Sequence, residues 1–184
     1  MKKILAILIF TLGITGVSFG QKFAVKNNLL YDLTTTLNAG VEIGLGTRWT
    51  LDASGNYIPW KFGKVRWKHW LVQPEFRYWF CERFNGHFIG VHGHYAEYNF
   101  GGIGFNHNLR HHRYQGHLYG GGISYGYQWI LNNRWNLEAT LGVGYARLHD
   151  KKYPIAECGT VIREKGRNYW GPTKIGITIV YIIK

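Results

Sequence analysis

The sequence predicts an all-β chain: an eight-stranded antiparallel up-and-down β-barrel that spans a membrane and has a polar, filled lumen. Three observations predict it. Apolar and polar residues alternate with period two in segment after segment, as in strands with one apolar face. The charges within those segments fall on the face opposite the aromatics. Short and long connections alternate along the chain, as in barrels with tight turns at one end and loops at the other.

The first residues form a separate unit. Lys2 and Lys3 precede an apolar run over residues 4–10, extended by Leu12 and Ile14. Ser18 and Gly20 put small residues at the −3 and −1 positions of a cut before Gln21. This is the pattern of a secretory signal peptide, residues 1–20, too short and Gly-interrupted for a spanning helix. No Cys follows the cut, which argues against a lipid anchor. Residues 21–184 are then one domain. Loss of Lys2 and Lys3 lowers the formal charge by two from +12. Such a charge suits nucleic acid or an anionic surface. Export disfavours nucleic acid, and no base-stacking module is visible; anionic lipid headgroups remain.

The strands follow in order. Residues 23–33 form a loose first strand with Lys26 and Asp32 on its polar face. Leu37, Ala39, Val41, Ile43 and Leu45 alternate with Asn38, Gly40, Glu42 and Gly44. Trp49, Leu51, Ala53, Gly55 and Tyr57 alternate with Thr50, Asp52, Ser54 and Asn56. Trp70, Val72, Phe76, Tyr78 and Phe80 alternate with Gln73, Glu75 and Arg77. Residues 87–99 fit more loosely. Ile123, Tyr125, Tyr127 and Trp129 alternate with Gly122, Ser124, Gly126 and Gln128. The clearest case sets Trp135, Leu137, Ala139, Leu141, Val143 and Tyr145 against Asn136, Glu138, Thr140, Gly142 and Gly144. Ile175, Ile177, Ile179 and Tyr181 alternate with Lys174, Gly176 and Thr178. Each segment is near the roughly 9–11 residues that cross a bilayer at a tilt.

Residues 46–48, 82–86 and 131–134 read as short turns, with Asn85-Gly86 a hairpin signal. The first hairpin, at residues 34–36, is also short. Residues 61–67, 101–115 and 149–168 read as longer loops. Eight strands put both termini on the periplasmic side. Cys81 and Cys158 then lie at opposite ends, as two free thiols.

Volume decides which face points inward. The apolar face carries too many Trp, Tyr and Phe to fit inside eight strands, whose interior is just wide enough for side chains to fill. The competing arrangement is a soluble β-sandwich with those aromatics in its core. Trp49, Trp60, Trp70, Phe80, Trp129, Trp135 and Tyr181 lie near strand ends, where membrane barrels carry aromatic girdles.

On the inward face, Glu42, Asp52, Glu75 and Glu138 meet Lys26, Arg77 and Lys174. Paired carboxylates can do acid–base work, but in a narrow lumen they read as a salt-bridged plug. His92 and His94 share a strand face, and His107, His111, His112 and His117 surround a basic loop. A metal at His92 and His94 is the weaker alternative, because no compact Cys/His motif accompanies them. Lys61, Lys64, Arg66, Lys68, Arg110, Arg113, Lys151 and Lys152 place positive charge in the loops. They either contact lipopolysaccharide phosphates or a partner, or form a solvated rim. No phosphate loop or GxSxG elbow is present. No cofactor is expected.

Residues 68–79, including Trp70, Gln73-Pro74-Glu75 and Arg77-Tyr78-Trp79, continue through Cys81-Glu82-Arg83-Phe84-Asn85-Gly86-His87-Phe88. With Asn28-Leu29-Leu30-Tyr31-Asp32 and Pro59-Trp60, this pattern resembles the bacterial family catalogued as domain of unknown function 3575. The resemblance spans nearly all of residues 21–184 and is weakest over 149–168. It implies a small outer-membrane barrel of OmpA/OmpX-like architecture, in some cases encoded near fimbrial assembly genes, and carries over no catalytic residues. The expected role is structural or interactive. Membrane lipid, lipopolysaccharide and a surface protein are the expected partners, with barrel-assembly machinery and periplasmic chaperones during biogenesis. A narrow pore, and an enzyme with His94, Glu97 and His107 at its rim, are the alternatives.

Overall fold

The structure, a computed structural model, describes residues 22–62, 65–101, 112–154 and 162–183. The expected signal peptide therefore lies outside the described residues. The elements are β1 (Phe23–Asn28), α1 (Leu29–Leu33), β2 (Leu37–Gly44), β3 (Trp49–Ile58), β4 (Lys61–Phe62), β5 (Val65–Trp79), β6 (Gly86–Gly101), β7 (His112–Ile130), β8 (Trp135–Pro154) and β9 (Arg163–Ile183). The two-residue β4 pairs only with the start of β5. The eight longer strands pair antiparallel with their sequence neighbours. Because β3 pairs with β5 and β1 with β9, the sheet closes into a ring. Phe23 lies opposite Ile183, so β1 starts and β9 ends at the same end of the ring.

Several local expectations are corrected. The loose first strand ends at Asn28, whose side chain caps α1 by accepting from the Leu30 N–H at 3.1 Å. Asp32 is thereby exposed on a helix rather than inside with Lys26. Within the expected loops 101–115 and 149–168, residues 101, 112–115, 149–154 and 163–168 are strand, because β6 to β9 run well past β1 to β3. Lys61 and Arg66 likewise lie on β4 and β5. The Asn85-Gly86 signal does not make a two-residue turn. Residues 80–85 form the connection, and Phe84 and Gly86 take the positive φ values, 64° and 76°. A Phe rarely adopts that conformation. Here it turns the Phe84 ring into the bottom of the ring of strands, where Asn136 Nδ2 donates to the Phe84 carbonyl at 3.0 Å.

Period-two geometry sets the two faces. Lys26, Glu42, Asp52, Glu75, Arg77 and Glu138 are buried inside, while Val41, Leu51, Phe76, Ile123, Leu141 and Ile177 are exposed outside. Not all aromatics point outward, however. Trp79, Phe84 and Phe88 are buried and close the lower interior beside Ala24, Val180 and Ile182. Trp79 lies 4.7 Å from Phe88 and 6.1 Å from Phe84, centroid to centroid. Small residues on β6 and β7 make room: a Cβ at Gly126 would strike the Phe88 ring, and one at Gly90 would strike Glu75.

Outside, aromatic residues form two bands. The lower one includes Trp49 stacked on Phe76 at 4.9 Å, Tyr127 with Trp129 at 4.8 Å, and Trp135 with Tyr181 at 4.8 Å. The upper one includes Trp70 with Tyr95 at 5.3 Å and Tyr145 with Trp170 at 5.1 Å. Between the bands, no described outward side chain is charged.

Phe84 is the test of the floor. Replacement by Ala keeps the unusual φ but removes the buried ring, and should cost about 3 kcal/mol. The urea midpoint of the folded protein measures this. A loss below about 1 kcal/mol would show that the floor contributes little.

Candidate functional site

The interior charges converge on Arg77, which is 1% exposed. Its Nη1 donates to Glu42 Oε2 and to Glu138 Oε2, both at 3.0 Å. Its Nη2 donates to Glu75 Oε2 at 2.9 Å, Asp52 Oδ2 at 3.2 Å and Glu138 Oε1 at 3.2 Å. Nε donates to Glu75 Oε2 at 3.0 Å. The guanidinium carbon also lies 4.4 Å above the Phe88 ring centre. A planar fork with five N–H donors suits such sharing; a Lys at this position would supply three donors from one point.

Lys26 and Lys174 complete the set. Lys26 Nζ donates to Glu42 at 2.8 Å and Glu138 at 2.7 Å, and lies 3.6 Å from Asp52 Oδ1. Lys174 Nζ donates to Glu75 and lies 3.5 Å from Asp52 Oδ2. Hydroxyls take remaining acceptor positions. Thr50 donates to Glu42 at 2.5 Å, Thr140 to Glu138 at 2.9 Å, and Ser124 to Glu75. Trp79 Nε1 donates in turn to Thr50 Oγ1 at 2.9 Å, tying the network to the aromatic floor. Four carboxylates face three cations. Asp52 is the least tightly held, its contacts being the longest and its Oδ1 lacking a hydrogen bond.

Each member of the expected cluster thus lies in one contiguous network. The cavity beside it, lined by Lys26, Asp52, Asn56 and Gln73 among others, holds about 40 Å³, room for a water molecule or two. Every carboxylate in the network is engaged by a cation. The arrangement provides charge neutralisation and filling.

Above the network, His92 and His94 point inward, their ring centres 5.8 Å apart. His92 Nε2 bonds Thr173 Oγ1 at 2.9 Å. Thr173 is available because the register between β8 and β9 shifts at Gly142/Val143 and leaves it unpaired; such bulges re-aim side chains. Its carbonyl also accepts from Gln73 Nε2 at 3.2 Å. Nothing in the sequence marks that bulge except Pro172, which cannot donate to a ladder. Among the described residues no third His, Cys, Asp or Glu joins the two His as a metal cluster.

The other candidates separate. His94 points inward, whereas Glu97 is outside and accepts from Trp70 Nε1 at 3.2 Å and Tyr95 OH at 2.9 Å. The expected rim pairing of His94 with Glu97 is therefore not formed. Lys64, His107, Arg110, His111 and Cys158 lie outside the described residues. Cys81 is an exposed free thiol. Lys68 and Arg113 lie on β5 and β7. Adjacent Lys151 and Lys152 occupy opposite faces of β8: Lys151 pairs with Glu164 at 3.5 Å, and Lys152 lines an inner recess with Arg167.

The fold and its interior define a class, a closed antiparallel ring stapled from within by buried ion pairs. The chain belongs to the family described as Protein of unknown function (DUF3575), which it matches over residues 4–183. No curated protein matches it.

The network makes a paired prediction. Arg77→Gln leaves four buried carboxylates facing two lysines and should cost about 3–5 kcal/mol. Asp52→Asn removes the most weakly held charge and should shift stability by less than about 1 kcal/mol. Equal effects of the two substitutions in urea unfolding would contradict the central place of Arg77.

Proposed function

We propose that this protein is an outer-membrane β-barrel of structural or interactive role, whose wall contacts lipid and whose interior network seals it. The observation that carries this reading is the uncharged outer band between two aromatic belts. Trp135 and Tyr145 stand ten residues apart on β8, as do Tyr119 and Trp129 on β7. At roughly 3.3 Å per residue and a tilt of roughly 40°, ten residues rise about 25 Å. That equals the usual height of the apolar band of an outer-membrane barrel. In water the same band, with Val91, Ile123, Leu141 and Ile175 each more than half or nearly half exposed, would be an apolar patch far larger than soluble monomers carry.

Barrel-assembly machinery and periplasmic chaperones would deliver such a chain. The short connections at residues 45–48, 80–85 and 131–134 would face the periplasm, with the extended ends of β6 to β9 outside. The sealed interior favours a non-conducting and non-enzymatic role over a pore.

Two measurements test the reading. Unboiled protein from an isolated outer-membrane fraction should migrate faster on a semi-native gel than boiled protein. Recovery only from the soluble periplasm, with no shift, would overturn the membrane placement. In a planar bilayer the protein should give no stepwise current; a steady conductance would point to a narrow pore.

A further inference from the structure

We propose a binding site for an anionic saccharide on the concave inner face of the extended ends of β7, β8 and β9. Strand pairing builds it. Tyr114 lies opposite Lys152, and Lys152 opposite Arg163; one step lower, Asp150 lies opposite Lys165, and Leu148 opposite Arg167. Tyr114, Asp150, Lys152, Arg163, Lys165 and Arg167 line a recess of about 380 Å³, within the size range of small-ligand sites.

The charge on this face is unbalanced. Asp150 is its sole carboxylate among the described lining residues, and it is already used, accepting from Tyr98 OH and from Arg167. Lys152, Arg163 and Lys165 have no carboxylate partner among the described residues. The opposite face of the same strands is less basic, since Lys151 is balanced there by Glu164 while Arg113 and Arg147 remain. The excess is larger in the recess, where four cations meet one carboxylate. Lys and Arg so placed bind phosphate or carboxylate groups by charge-assisted hydrogen bonds.

Aromatic rings supply the other half. Lys152 Nζ stands 5.9 Å over the Tyr114 ring. Tyr114 is the ring that lines the recess; Tyr98 and Phe100, one strand away on β6 and stacked on each other at 5.6 Å, pair across to Gly116 and Tyr114 beside it. Gly116 lets β7 and β8 approach closely here: a Cβ there would strike the His149 carbonyl oxygen and lie 2.9 Å from the Tyr98 hydroxyl. Cations beside flat apolar ring faces match a sugar ring that carries anionic substituents, because the C–H face of a pyranose stacks where a bare anion cannot. The ligand class is a saccharide bearing phosphate or carboxylate groups, either the headgroup of a glycolipid or a lipid-free acidic glycan. The site does not depend on the membrane placement proposed above.

The test uses the full folded chain in detergent and a fluorescently labelled, lipid-free phosphorylated core oligosaccharide released from lipopolysaccharide. Saturable binding is expected, weakened about tenfold or more by phosphatase treatment of the oligosaccharide and by the double substitution Arg163→Gln, Lys165→Gln. The double substitution Arg147→Gln, Lys151→Gln removes the same charge from the outer face and should change affinity less than about twofold. Inorganic tripolyphosphate should compete at least about tenfold more weakly than the oligosaccharide. Competition by a uronic-acid polymer stronger than by the phosphorylated core would support the site and assign its source to a lipid-free glycan. Three results would overturn the proposal: no saturable binding, equal loss from either double substitution, or tripolyphosphate competing as well as the sugar. Binding only of intact, lipid-bearing lipopolysaccharide would also overturn it, since the wall would then be the contact. Gel migration of the same samples reports folding separately, so failure of this site and failure of the membrane reading are distinguishable.

Discussion

The buried Arg77 guanidinium is the constraint on which the rest of the interior depends. A charge with almost no exposure must be paired and hydrogen-bonded, and Arg77 achieves this through carboxylates from four other positions, Glu42, Asp52, Glu75 and Glu138. Those residues come from β2, β3, β5 and β8. The network therefore spans the ring and links strands that share no backbone hydrogen bonds. Strand register is bound to it, because a one-residue slip would turn every one of these side chains to the other face. Lys26 on β1 and Lys174 on β9 extend the same linkage across the pairing that closes the ring.

Filling an interior this narrow demands unequal strands. β5 and β6 send in Arg77, Trp79, Phe88 and His92, while β7 presents Gly122, Ser124 and Gly126. Large side chains from one side occupy the space that small ones leave on the other. The floor follows the same logic. Phe84 accepts a left-handed backbone because its ring closes the apolar lower end with Trp79 and Phe88. That burial offsets a strain of order 1 kcal/mol.

The outer surface and the long strand ends serve different surroundings. Between the aromatic bands the described outward residues are uncharged and largely apolar, which suits hydrocarbon in the reading proposed above. Beyond the upper band, β6 to β9 continue as an open sheet whose two faces differ in charge. The convex face carries the Lys151–Glu164 pair, and the concave one an excess of cations. A sheet curved by its own closure has a recess on its inner face without any loop to form it, which is why the candidate ligand site lies on strands.

The amino-acid sequence alone determined the strands and their faces. Trp135 to Tyr145 declares its two faces by alternation, and Glu42, Asp52, Glu75, Arg77, Glu138 and Lys174 share a parity that period-two geometry converts into a shared face. These are local properties, legible because a strand's side-chain direction depends only on position within it. Only the tertiary structure decided which residues meet. The inward rotation of Phe84 beside Asn136 and the bulge that brings Thr173 to His92 each depend on a strand distant in sequence. The length of β6 to β9 does too: their polar, Gly-containing ends carry no apolar alternation, so they read as loops until a neighbouring strand supplies the hydrogen bonds. Face follows from the chain's own geometry, whereas contact follows from ring closure and register, which no single segment contains.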